Sequence, residues 1–146
     1  MMPFESYPCS GKVLLGRSAS GNCRSGYGLD FQRKIGQTSC AYCGMSLVDT
    51  FEQWLQMALD HVVPASVCRG LGIHPEWYDD CINKVLACAA CNTFGNRYKP
   101  PAETACPTTL EAFCTLRDRI FADREERIET RRELERVYYE QRSWEK

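Results

Sequence analysis

Two Cys-x-x-Cys pairs, Cys40-Ala41-Tyr42-Cys43 and Cys88-Ala89-Ala90-Cys91, restrict what this chain can become more than any other feature. A tetrahedral ion takes two thiolates from one tight turn and two from another, so Cys40, Cys43, Cys88 and Cys91 have the spacing of a single zinc site. Such a site ties two distant points of the chain together. The segment between them is long enough to leave one turn as a strand, loop back and return as a second strand. Four thiolates close the coordination of Zn2+ and leave no position for water, so this metal is expected to be structural. Gly44, directly behind the first pair, fits a knuckle in which backbone amides turn back toward sulfur.

The chain has 146 residues and fits one domain with a modest core, a size at which a structural metal adds useful stability. Its ten cysteines would suggest a disulfide framework in a secreted domain. Met1 to Pro8, however, lacks a charged start followed by an apolar run, and no stretch approaches the roughly 18 apolar residues of a membrane span. The expectation is therefore a cytoplasmic protein with zinc in place of disulfides and no membrane partner. Cys9, Cys23, Cys68, Cys81, Cys106 and Cys114 show no metal spacing and read as small buried hydrophobes. With a net charge of −1 the chain as a whole lacks the footprint of a strong nonspecific DNA binder. Its positive charge is unevenly placed, with Arg17, Arg24, Arg33 and Lys34 before the first cysteine pair and Arg97 and Lys99 after the second.

Three segments follow from the pattern: an irregular arm over 1–38, a core over 39–100, and a linker with a long charged helix over 101–146. The arm is glycine-rich, with one short strand expected at Val13-Leu14-Leu15, and Leu29 to Ile35 is expected to be a helix stopped by Gly36. Thr50 with Gln53 forms a capping box for a short helix over Phe51 to Leu55. Alternation from Met57 to Val63 predicts a strand that ends at Pro64. Residues 65–82 read as a long excursion with one helical turn at Pro75 to Asp80. Lys84 to Cys88 reads as the second strand, and a helix follows from about Cys91 to Tyr98, stopped by Pro100-Pro101. Thr108 with Glu111 suggests the cap of the last helix, which would extend roughly 50 Å to about Trp144. Leu110, Phe113, Leu116 and Ile120 form its packing stripe. The Arg/Glu-rich stretch from Asp123 to Arg136 reads as a solvated face, with a protein partner or self-association through this helix as the sharper alternative.

Between the cysteine pairs lie the groups that suit phosphodiester hydrolysis. A neutral imidazole, His61, can take a proton from water, and a divalent cation can bear charge on the leaving oxygen. Asp-His-Val-Val-Pro at residues 60–64, Asn83 before an apolar strand, and Cys-Ala-Ala-Cys-Asn at 88–92 together resemble the HNH endonucleases, in the histidine-asparagine-asparagine variant. The resemblance covers about Cys40 to Lys99. It implies an α+β fold with a ββα-metal core beside the four-cysteine zinc site. It also implies His61 as general base, Asp60 and Asn92 as ligands of the catalytic metal, and Asn83 as the residue that fixes the loop and orients His61. Asn92 stands where the family often has histidine, and an amide oxygen favours Mg2+ or Mn2+ over softer metals. Arg97 and Lys99 would neutralise phosphates beside the cut. DNA is the expected substrate and RNA stays open. The competing expectation is a non-catalytic zinc module that binds nucleic acid or a protein partner. Trp77 and Tyr78 are expected in the packing of the excursion rather than against bases.

Overall fold

The structure, a computed structural model, describes residues 3–5, 7 and 23–142. Nearly half of the arm lies outside these residues, including the strand expected at Val13 to Leu15, together with Cys9 and Arg17. The described chain is α+β, with one two-stranded sheet and several helices. A π-helical turn, Cys23–Gly28, runs into α1, Leu29–Ile35. Gly36 ends α1 at φ 67°, a left-handed stop that a side chain would strain. Helix α2, Phe51–Leu55, begins where the Thr50 side chain accepts from Gln53 N.

Strand β1, Met57–His61, pairs antiparallel with β2, Lys84–Cys88, in the register Met57 with Cys88 and His61 with Lys84. The alternation predicts β1 to Val63, but pairing stops two residues earlier. Asn83 causes the difference: Val62 N donates to its carbonyl at 2.8 Å and Val63 N to its side-chain oxygen at 2.9 Å. A side chain thus takes the place of the next rung of the ladder and turns the chain toward Pro64.

The excursion holds two helices where the sequence suggests one turn. Helix α3, Ala65–Leu71, starts after Pro64 and stops at Gly72, whose φ is 80°. Gly70 inside it weakens its helical signal. Helix α4, Pro75–Tyr78, is the expected turn, and Cys81–Asn83 forms a 3-10 turn leading into β2. Helix α5, Ala89–Gly95, begins one residue after β2, before the expected Cys91. Helix α6, Leu110–Gln141, is capped by Thr109, which accepts from Ala112 N at 3.0 Å, so the cap lies one residue beyond Thr108. Among the described residues, no helix is long and apolar enough to cross a membrane.

Helix α6 joins two buried clusters. Phe121 and Ile128 enter the one around the sheet, with Phe31, Leu47, Val85 and Leu86. Phe113, Leu116 and Ile120 enter the one beneath the excursion, with Val63, Ile73, Tyr78 and Ile82. Trp77 packs there against Phe113, ring centroids 5.9 Å apart, which accounts for its role by packing alone.

Candidate metal centre and adjoining cleft

The first cysteine pair sits in a knuckle bridged by Ser39 and Ser46, with Cys40 N bonded to Met45 O at 2.8 Å and Gly44 N to Cys40 O at 2.9 Å. Gly44 adopts φ 77°, the conformation a glycine reaches without strain. The knuckle docks on the free edge of β2 through Ala41 N, which donates to Leu86 O at 3.0 Å. The second pair straddles the β2–α5 junction, where Cys88 caps the helix by accepting from Cys91 N.

These elements bring the sulfur atoms of Cys40, Cys43, Cys88 and Cys91 within 4.8 Å of one another. The Sγ atoms of Cys43 and Cys88 are 3.8 Å apart. Tetrahedral bonds of about 2.3 Å from zinc to sulfur separate the sulfurs by about 3.8 Å, so the cluster fits a zinc-sized ion. Among themselves the four thiols compete for protons. Hydrogen bonds from Cys88 and Cys91 push Cys40 far down, and the same bond with Cys40 pushes Cys88 up to about 11. A bound dication removes that competition by stabilising all four as thiolates.

A long-range contact from α6 completes the cluster's surroundings. Arg132 Nη1 lies 4.0 Å from Cys91 Sγ, placing a positive charge beside a tetrathiolate that carries two net negative charges with zinc bound. The nearby sulfurs raise the Arg132 pKa against the effect of its partial burial.

Asp60, His61 and Asn92 line one cavity of about 210 Å³, together with Pro64, Asn96 and Arg124. Neighbours on a strand point to opposite faces, yet Asp60 and His61 both reach this cavity because β1 ends at His61. Asn92 is placed by the cysteine beside it, one residue into α5 from Cys91. It is half-buried.

Asp60 is only 3% exposed and is held by a residue the sequence pattern assigned to a solvated face. Arg124, 1% exposed, grips it with Nη1 at 2.7 Å from Oδ2 and Nη2 at 2.9 Å from Oδ1. Tyr42, from the cysteine knuckle, donates to the same Oδ2 at 2.5 Å and stacks on Phe121. Arg124 Nη1 also faces the carbonyls of His61 at 3.0 Å and Val62 at 2.9 Å. Burial alone would pull the guanidinium pKa down, but its bonds to Asp60 outweigh that and hold it above the ordinary arginine value. Gly95 makes room for this packing, since a Cβ there would stand 2.5 Å from Arg124 Nη2.

His61 keeps a third of its side chain exposed, and its Nε2 lies 3.5 Å from Asp79 Oδ1, a contact absent from the sequence reading. Burial lowers its pKa, assisted by the Lys84 charge across the strand pair and opposed by Asp79 and Asp60. Lys84 is itself buried, donating from Nζ to Tyr27 OH at 2.8 Å. Asn83 is fully buried and braces the loop. Its side chain accepts from Val63 N and donates to Val63 O and Tyr78 O, both at 3.0 Å. It therefore acts on the backbone beyond His61 rather than on the imidazole directly.

The donors around the cavity suit a hard cation with one reservation built into the site. A carboxylate offers about four lone-pair positions, and Oδ2 of Asp60 already accepts from Arg124 and Tyr42. Oδ1 accepts from Arg124 alone and retains one, which with the Asn92 amide oxygen gives two oxygen ligands. Magnesium commonly binds through so few protein groups and keeps its waters. The adjacent guanidinium weakens the attraction of Asp60 for a dication.

Arg97 and Lys99 are exposed just past α5, on the wall of a groove of about 600 Å³ that α3 lines opposite them. Comparison of the chain with family models, with curated proteins and with solved structures gives no match.

Proposed function

We propose that this chain is an HNH endonuclease that hydrolyses phosphodiester bonds of DNA. What supports this reading is one arrangement: His61, Asp60 and Asn92 share a small cavity whose walls are fixed by a four-cysteine cluster and a buried asparagine. A purely structural scaffold needs only the cysteines. In this proposal His61, kept neutral by burial, accepts a proton from water. The water oxygen bonds to phosphorus while the bond to the 3′ oxygen breaks, leaving a 5′ phosphate. Mg2+ or Mn2+ on Asp60 and Asn92 would supply charge stabilisation at the departing 3′ oxygen. Asp79 lies where it can hold the imidazole, and Asn83 bonds Val63, just beyond His61, and Tyr78, next to Asp79. Arg97 and Lys99 contact the backbone of the bound strand. Zn2+ serves structure alone.

A second reading has its own observation. The two-pronged hold of Arg124 on Asp60 would suit a non-catalytic zinc module that binds nucleic acid or a protein partner, in which the carboxylate is a brace and not a ligand. Conversion of supercoiled plasmid with Mg2+ or Mn2+ separates the two, using wild type and His61→Ala with zinc measured on both. Cleavage by wild type, loss in His61→Ala and one zinc in each supports the nuclease. No cleavage by either, with zinc retained, leaves the binding module. Parallel RNA substrates decide the sugar.

A further inference from the structure

Two of the residues that line the cavity with His61 come from one face of α5. Asn92 lies inside the helix and Asn96, its C-terminal cap, follows four residues later, a spacing that sets side chains one above the other. Ending the helix does not account for an asparagine at the second position. Asparagine is favoured beyond a helix where the backbone turns left-handed, whereas Asn96 stays right-handed at φ −65° and ψ −24°. Its backbone N–H donates to Thr93 O at 3.3 Å, and among the described residues its side chain has no hydrogen-bond partner. The Asn92 side chain has none either. Two amide oxygens at the same cavity are thus left to solvent or to a ligand.

A separate observation concerns the supply of oxygen ligands. Oδ2 of Asp60 accepts from Arg124 and Tyr42, and Oδ1 accepts from Arg124, so the carboxylate has little left for a cation. A hard cation takes about six oxygens, and each one from the protein replaces a water. Asn96 is also the one residue shared by this cavity and the groove of about 600 Å³ whose wall carries Arg97 and Lys99. It therefore stands where the cavity opens into the groove. In the nuclease reading, that junction is where a cation meets an oxygen of the strand held by those two side chains.

We propose that Asn96 is a third protein ligand of the Mg2+ or Mn2+ ion, its amide oxygen joining those of Asp60 and Asn92. The assignment rests on the nuclease reading for the presence of the ion. One helical face then contributes two neutral oxygens, which offsets the hold of Arg124 on the single carboxylate. Asn96 carries no sequence signal of its own, since the cysteine pair that marks Asn92 lies on its other side.

The test uses the full zinc-loaded chain with Mn2+ or Mg2+ alone and no nucleic acid. Electron paramagnetic resonance of free Mn2+ gives the affinity of wild type, Asn96→Leu, Asn96→Asp and Asn92→Leu, with zinc content and thermal midpoint checking that each is folded. Leucine keeps the shape of asparagine without its oxygen, so Asn96→Leu should weaken Mn2+ binding by about tenfold, as Asn92→Leu should. Asn96→Asp, which keeps an oxygen in the same place, should bind at least as well as wild type. In the second arm, Mg2+ should shift the side-chain carbonyl carbons of Asn92 and Asn96 together in NMR spectra and leave that of Asn83, buried and bonded to backbone, unmoved. An Asn96 carbon that does not move, or an Asn96→Leu affinity equal to that of wild type, overturns the third ligand while sparing the ion on Asp60 and Asn92. Failure of wild type to bind either cation at millimolar concentration overturns it too, and plasmid cleavage then decides the nuclease reading separately.

Discussion

Replacing Arg124 with methionine tests the central packing claim of the structure. The substitution keeps an unbranched stem of similar reach but removes a guanidinium that bonds to both oxygens of Asp60, to Tyr42 OH, and to the His61 and Val62 carbonyls. Because Asp60 is 3% exposed, its charge is then left without its cationic partner. Removing one member of a buried ion pair typically costs about 3–5 kcal/mol. Against a total stability of about 5–15 kcal/mol, that is a large share. Urea denaturation of the zinc-loaded protein, followed by tryptophan fluorescence, measures the loss. The decisive comparison is a double-mutant cycle with Asp60→Asn. If the single variants suffer from stranded charge, the double variant should cost less than their sum by about 1–3 kcal/mol. Costs that add within about 0.5 kcal/mol, or an Arg124→Met loss near zero, would refute the argument that this pair holds α6 on the sheet.

Two further outcomes follow from the cysteines. Arg132→Gln should speed zinc release to a competing chelator by about threefold to tenfold, below the usual range for buried outer-sphere partners because Arg132 is partly exposed; an unchanged rate would show that its charge does not act on the thiolates. In the zinc-loaded protein at pH 7.5, maleimide should modify exposed Cys106 before Cys68 and Cys81, which burial holds up at about 12 and about 11. Chelation should then expose Cys40, Cys43, Cys88 and Cys91 to labelling. Peptide mass mapping checks the order, and Cys68 reacting as fast as Cys106 would contradict its burial.

Local signals in the sequence reached the structure where they determine geometry by themselves. Gly36 ends its helix because a left-handed stop needs no side chain, and Thr50 caps its helix because a hydroxyl reaches the amide three residues on. Lys84 to Cys88 reads as a strand from its short apolar run and is one. The Thr108–Thr109 pair shows the limit of that reading, since either hydroxyl can cap and only the chain's path selects Thr109. The end of β1 was less legible still, because it depends on the Asn83 side chain reaching Val63 from 20 residues away. Clustering of the four sulfurs was legible because paired spacing carries its own long-range partner.

Arg124 was illegible for a different reason. Periodicity assigns arginine to the solvent face of a helix, and Asp123 to Arg136 has few apolar residues to argue otherwise. The trace it leaves is positional: Phe113, Arg117, Ile120, Arg124 and Ile128 follow one another at steps of three or four, and all are buried. Two arginines inside such a stripe mean that the helix faces backbone carbonyls and a carboxylate as well as apolar surface. Arg117 indeed donates to Ile82 O at 2.6 Å, next to Asn83, while Arg124 binds Asp60. The long helix thereby grips both chain segments that lead into the cavity: the loop before β2 and the end of β1. Whatever ligand enters beside His61 meets an Asp60 already neutralised in part by that helix. A cation held there must compete with Arg124 for the Asp60 carboxylate. The site's chemistry is therefore set from outside the Cys40 to Lys99 segment that holds the rest of the cavity, by a residue of α6 25 positions beyond Lys99.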